Sequence, residues 1–158
     1  MGIGGVGVGA LAPLLRAVGA EVDGCDCQES AAVERLRGNG FPVALGHDAA
    51  HGAHCDVLVH TAAVPGDHPE ITAARARGAL VLTRGQCLVR LMEGARTIAV
   101  AGSHGKTTTT WFIGHLLTEA GLDPVVMVGG AVGALGGGGA RAGNGALFVA
   151  EADESDGS

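Results

Sequence analysis

Six residues, Gly102-Ser103-His104-Gly105-Lys106-Thr107, directly follow an apolar run at 97–101 and include the only lysine of the chain. A glycine-rich turn between a strand and a helix presents successive backbone N–H groups to phosphate oxygens. An ammonium there neutralises the β- and γ-phosphates, and a hydroxyl one residue later can ligate Mg²⁺. The strict G-x-x-x-x-G-K-[ST] pattern needs glycine at 100, where Val100 stands, so this is a shortened loop. Its chemistry survives the shortening. Gly102, Ser103, His104, Gly105, Lys106, Thr107 and Thr108 are therefore candidates for a nucleoside triphosphate site, with His104 inside the loop and near the phosphates. Thr107 to Thr110 form an unbroken threonine run where a helix should start, against their helix preference. At an N-terminus their hydroxyls can cap free N–H groups or face phosphate and metal.

A second signal lies at Leu147-Phe148-Val149-Ala150, an apolar strand pattern ending in Glu151-Ala152-Asp153-Glu154-Ser155-Asp156. Phosphate-bound Mg²⁺ takes one or two carboxylates. Strand alternation places Glu151 and Asp153 on one face. A solvated acidic turn is the plainer reading of the run alone, but coupled to the lysine loop it makes Glu151 a metal candidate with Thr107.

The chain also opens on Gly2-Ile3-Gly4-Gly5-Val6-Gly7, a G-x-G-x-x-G match that a helix should follow. Such glycines permit a tight turn and close approach of backbone to a pyrophosphate at a helix N-terminus. Asp26, after the next strand, is placed to accept ribose hydroxyl hydrogen bonds. Gly4, Gly5, Gly7 and Asp26 thus form a candidate nucleotide site that suits NAD, FAD or a UDP-sugar equally.

The elements that must carry these loops read as β-α-β alternation: strands at 21–25, 56–61, 79–82, 97–101, 125–128 and 147–150, and helices at 7–18, 30–37, 69–77, 86–93 and 106–120. This predicts an α/β protein with largely parallel sheets covered by helices. The polar break 93–96 before the lysine-loop strand predicts a boundary between a Rossmann-like unit, 1–94, and a P-loop-type unit, 95–158. Residues 129–145 hold nine glycines and no apolar period, which predicts a mobile loop. The first glycine loop lacks the strand that should feed it and the second unit holds few strands, so a fragment of a longer protein is expected.

Composition narrows the classes. A net charge of −6 with scattered arginines argues against a nucleic-acid surface. An apolar share of 47% with 16% charged residues suits buried elements, yet no run is long and unbroken enough to span a membrane. Cys25, Cys27, Cys55 and Cys87 form no C-x-x-C pair and read as buried, reduced thiols of a cytoplasmic protein. His47, His51, His54 and Cys55 have metal-like spacing, but Gly52 and the lack of a helical pattern favour exposed loop histidines. Trp111, Phe112, Leu116 and Leu117 read as core.

Taken together, the chain resembles the Mur ligase family, and within it the members that add alanine. The matching residues are Gly2-Ile3-Gly4-Gly5, Gly24-Cys25-Asp26, Glu34-Arg35-Leu36, Gly46-His47-Asp48, the stretch 99–110 and the acidic run from Glu151 to Asp156. Ser103 replaces the family's usual threonine and keeps its hydroxyl, and the usual serines or glycine-serine pair near Cys25 and Thr61 are changed. Ser155 occupies a position that is usually tyrosine in the related murein-peptide ligase. The resemblance implies ATP and Mg²⁺ as cofactors, with UDP-N-acetylmuramate and L-alanine as small-molecule substrates joined through an acyl phosphate. Lys106 would hold the phosphates and Glu151 a bridging Mg²⁺, which makes both catalytic candidates; Gly4 and Gly5 would face the UDP diphosphate. It implies further ligands beyond residue 158, so that this polypeptide alone is expected to be inactive. Two other readings fit parts of the pattern: an NAD-dependent Rossmann oxidoreductase or regulator, and a non-enzymatic nucleotide-binding module.

Overall fold

The computed structural model describes residues 1–152, so Asp153, Glu154, Ser155 and Asp156 of the acidic run lie outside the described residues. In chain order the elements are α1 (Val6–Ala17), β1 (Gly24–Asp26), α2 (Ala31–Gly38), β2 (Val43–Leu45), α3 (Ala49–Gly52), β3 (Val57–His60), α4 (Pro69–Arg77), β4 (Leu80–Thr83), α5 (Arg84–Met92), β5 (Arg96–Val100), α6 (Lys106–Glu119), β6 (Val125–Val132), β7 (Gly138–Arg141) and β8 (Leu147–Glu151), with a 3₁₀ turn at Gly133–Leu135. Local chemistry sets several boundaries. Ser30 caps α2 by accepting from the Val33 N–H, and Thr83 and Gln86 form a reciprocal capping box at α5. Helix α4 starts on Pro69, whose missing N–H costs nothing there, and ends at Gly78 in the left-handed conformation.

The fold class is α/β, as expected. β1 pairs with β2, and β3 with β4, both in parallel; a four-stranded sheet runs β5-β8-β6-β7, with only β6–β7 antiparallel. The first residues tie the two small ladders together around the glycine loop. Met1 N donates to Val59 O on β3 (2.9 Å), while the N–H groups of Gly2 and Ile3 donate to Cys25 O on β1 (2.9 and 3.1 Å).

Three expectations are corrected. The glycine-rich stretch 129–145 is not a loop: β6 extends to Val132 and folds back as β7, in register at Val126 with Arg141 and Met127 with Ala140. Glycine hid this hairpin because it supplies no apolar period, but the pairing is made by backbone groups that glycine provides as well as any residue. Phe112 and Leu116 are not core; they are 58% and 62% exposed, because α6 lies on the sheet through Thr110 and Gly114 instead. A Cβ at Gly114 would stand 2.5 Å from Val126 Cγ2, so glycine there lets the helix approach β6. Cys27 is exposed rather than buried, although Cys25 and Cys87 are buried as expected and the four cysteines are free thiols.

One apolar cluster joins α1 (Ala10, Leu11, Leu14), α5 (Cys87, Leu88), β6 (Met127) and β8 (Phe148, Ala150). The elements on the two sides of residue 94 therefore share a core through α1. The described residues contain no helix long and apolar enough to cross a membrane.

Candidate nucleotide and metal site

Parallel pairing of β5 with β8 places Val100 beside Glu151, so the strand that feeds the lysine loop and the strand that ends in the acidic run finish side by side. The Ala152 N–H donates to Val100 O (3.0 Å), extending that alignment past the strand end. From there the chain turns through an exposed loop at 101–105 into α6, whose N-cap is Gly105 at φ 75°. An L side chain rarely adopts that conformation, so glycine is required at this point. Gly105 brings no capping side chain to α6, and among the described residues the capping role open to the threonine run is not taken up, so the first-turn N–H groups suit an added acceptor.

Across the strand ends, Thr107 Oγ1 donates to Glu151 Oε2 at 2.9 Å, joining residues 44 apart in sequence. The same carboxylate oxygen accepts the Gly129 N–H at 2.6 Å. A hydroxyl and a carboxylate held this way are hard oxygen donors of the kind Mg²⁺ takes. Sequence reasoning did not single out Gly129. A Cβ there would lie 2.9 Å from Glu151 Cδ and Oε2, and one at Gly130 would touch Thr107 Cγ2 at 3.4 Å. These glycines fall within the irregular step of β6 between Met127 and Val132. The available signal was a glycine pair ending an apolar strand.

Lys106 folds back in this structure, its Nζ donating to Gly102 O at 2.8 Å. Ser103, His104 and Thr108 are exposed along the loop and first turn. Thr110, the last of the threonine run, points into the core, and its Oγ1 has no hydrogen-bond partner among the described residues.

The first glycine loop is arranged around Asp26. Its Oδ2 accepts the Gly4 N–H (2.8 Å) and its Oδ1 the Gln28 N–H (3.2 Å). A Cβ at Gly4 would stand 2.8 Å from Asp26 Oδ2 and 2.9 Å from Val33 Cγ2, so only glycine fits. Gly2 turns at φ 71°, the Gly5 N–H closes on Gly2 O (3.1 Å), and Gly5 is the uncapped N-cap of α1. Gly7 sits in the first turn of α1, where a Cβ would meet Arg84 Cδ at 2.6 Å. The structure thus brings Gly4, Gly5 and Asp26 together, with Asp26 also holding the loop's shape.

The histidine expectation is corrected for His51 alone, which is half-buried on α3, while His47 and His54 are exposed as expected. His47 and His51 Nδ1 lie 3.2 and 3.0 Å from Glu70 Oε1, on a carboxylate that is 0% exposed. His54 stays exposed, and Cys55 donates to Gly52 O. Glu70 also accepts from the Asp48 N–H (3.0 Å) and the Cys25 thiol (3.3 Å). Burial pushes Glu70 up, but hydrogen bonds from Cys25, His51, Asp48 and His47 outweigh it and hold the carboxyl below its usual value. Burial pushes the Cys25 thiol up to about 12.

A family profile described as "Mur ligase family, catalytic domain" matches residues 1–96. The chain belongs to the Mur ligase family. That match stops before the lysine loop, but relatives align across both loops. The UDP-N-acetylmuramate--L-alanine ligase of Sorangium cellulosum is 49% identical over 158 residues, covering 100% of this chain and 34% of the relative. The enzyme of the same description from Symbiobacterium thermophilum is 50% identical over 157 residues, covering 99% and 32%. Among solved structures, UDP-N-acetylmuramate-alanine ligase from Thermotoga maritima superposes with a TM-score of 0.85 at 34% identity, over 98% of this chain and 36% of that one. A murein peptide ligase from Psychrobacter arcticus gives 0.84 at 30%, over 98% and 37%. The chain spans about a third of the length of the curated relatives it matches.

Proposed function

We propose that this chain carries the nucleotide-facing part of an ATP-dependent ligase that joins L-alanine to the carboxylate of UDP-N-acetylmuramate in peptidoglycan synthesis, in the cytoplasm. The observation that carries the reading is the Thr107–Glu151 hydrogen bond at 2.9 Å beside the uncapped start of α6. It joins a phosphate-type loop to a hard-oxygen metal pair. The names of the relatives supply the substrates.

In this reading Gly102, Ser103, His104, Gly105 and Thr108 surround the ATP phosphates. Lys106 exchanges the neutral Gly102 carbonyl for an anionic oxygen, a stronger charge-assisted hydrogen bond. Thr107 and Glu151 hold Mg²⁺, and Gly129 keeps the carboxylate turned toward Thr107. ATP and Mg²⁺, when bound, supply the transferable phosphoryl group and the positive charge that offsets it. Gly4, Gly5 and Gly7 face the diphosphate of the UDP-sugar, and Asp26, already fixed on Gly4, has lone pairs left for a ribose hydroxyl. We assign 1–94 to the UDP-sugar unit and 95–158 to the ATP unit, with α1 as the helix that packs on both.

The test is phosphate release by the full-length protein given ATP, Mg²⁺, UDP-N-acetylmuramate and L-alanine. Release should require all four components and fall sharply in Lys106→Ala. Release that persists without the UDP-sugar or without the amino acid would sink the assignment.

A further inference from the structure

Away from the phosphate loop, four segments converge on one buried carboxylate. Cys25 comes from β1, His47 from the turn after β2, His51 from α3 and Glu70 from the first turn of α4. Cys25 Sγ lies 3.3 Å from Glu70 Oε2 and 3.5 Å from His47 Nδ1; His47 Nδ1 and His51 Nδ1 lie 3.2 and 3.0 Å from Glu70 Oε1. One donor atom from each of Cys25, His51 and Glu70 falls within 4.8 Å of the other two. Ligands about 2.0 to 2.3 Å from a tetrahedral Zn²⁺ are separated from each other by about 3.3 to 3.6 Å. On the single oxygen Glu70 Oε1, the Cys25 Sγ and His51 Nδ1 distances of 3.4 and 3.0 Å are within a few tenths of an ångström of those edges.

The geometry points to a site for a Zn²⁺-class divalent cation, with Cys25, His51 and Glu70 as ligands. A thiolate, an imidazole and a carboxylate form a donor set for a borderline-soft ion and not for Mg²⁺ or Ca²⁺. Two features of the surroundings suit a held cation. The Asp48 N–H fixes Glu70 Oε1, the kind of outer contact that orients a ligating carboxylate. A Cβ at Gly52 would overlap the Glu70 carbonyl oxygen, so glycine there lets the α3 that carries His51 lie against α4. The His51 side chain is 35% exposed, so the cluster can be reached from that side. A cation there would pin β1 to α4 one residue from Asp26 and so stiffen the first glycine loop. This site is independent of the ligase reading.

Co²⁺ titration of the metal-stripped full chain, followed in the near-ultraviolet and visible, is the test. The proposal expects one Co²⁺ per chain, four-coordinate d–d absorption, a thiolate-to-cobalt charge-transfer band and displacement by Zn²⁺. Cys25→Ser should remove the charge-transfer band, and His51→Gln should weaken binding at least about tenfold, the size of effect that loss of even an outer-sphere partner brings. Cys55→Ser should change neither. Circular dichroism checks each variant; if Cys25→Ser unfolds, His51→Gln, which leaves the buried thiol and carboxylate intact, decides. Absence of the band, or a band that survives Cys25→Ser and vanishes with Cys55→Ser, overturns the proposal and leaves a hydrogen-bond network centred on Glu70.

Discussion

Replacing Gly129 by alanine would set a methyl carbon 2.9 Å from Glu151 Cδ and Oε2 and 3.0 Å from Oε1. Ordinary carbon contacts begin about half an ångström farther out, so the carboxylate must swing away. Glu151 Oε2 then gives up the Gly129 N–H at 2.6 Å and loses its alignment with Thr107 Oγ1 at 2.9 Å. Each is a hydrogen bond to a charged group, worth roughly 1.5 to 3 kcal/mol. The group that moves is the far end of a flexible side chain, so the fold should be nearly untouched while the metal pair is dispersed. Losing about one such bond in the metal-bound state weakens Mg²⁺-ATP binding about 10- to 150-fold. Calorimetric titration with ATP in Mg²⁺ and again in EDTA separates the effects. The loss should appear in Mg²⁺, with little change in EDTA and an unchanged melting temperature. Equal affinity for Mg²⁺-ATP, or the same loss in EDTA, would refute it.

Lys106→Ala should cost about 10- to 150-fold in nucleotide affinity, since it removes one charge-assisted phosphate contact; an unchanged dissociation constant in equilibrium dialysis would contradict its role. Thr110→Val removes a buried hydroxyl with no partner among the described residues and should raise stability by about 1 kcal/mol in urea unfolding, whereas a loss would show that the hydroxyl is satisfied. Gly52→Ala drives a methyl into the backbone of α4 at Glu70 and Ala74, where no side chain can yield, and should lower stability by about 1 to 3 kcal/mol. The Asn144 N–H and the Arg141 guanidinium hold the Asp123 carboxyl below its usual value. Its stabilising contribution is therefore complete above the unfolded-state value and is lost as pH falls through the lower folded one; Asp123→Asn should flatten that acid limb in pH-dependent melts.

Most of the frame was legible because its signals are local. Apolar runs alternating with capped helical segments announced α4 at Pro69–Arg77 and α6 from Lys106, and one lysine in a glycine turn marked the phosphate loop. What was not legible depends on pairing between distant backbones or on side chains from separate segments. β2 is three residues long and pairs only through β1, α3 is a four-residue helix started by the Asp48 cap, and the β6–β7 hairpin is built largely of glycine. Gly129 acquires its importance only when β8 brings Glu151 beside it. His47 and His51 carry no sequence sign of meeting Glu70, about twenty positions on, which lies buried beneath them.

The proposed function requires one chain to hold two separate nucleotide sites, a UDP-sugar at the first glycine loop and ATP at the second. Sequential calorimetry on one sample tests it most directly, with Mg²⁺-ATP titrated first and UDP-N-acetylmuramate second. Two independent saturable events are predicted, with Lys106→Ala weakening the first and leaving the second intact. Competition of the two ligands for a single site, or displacement of the second by NAD⁺, would contradict the account.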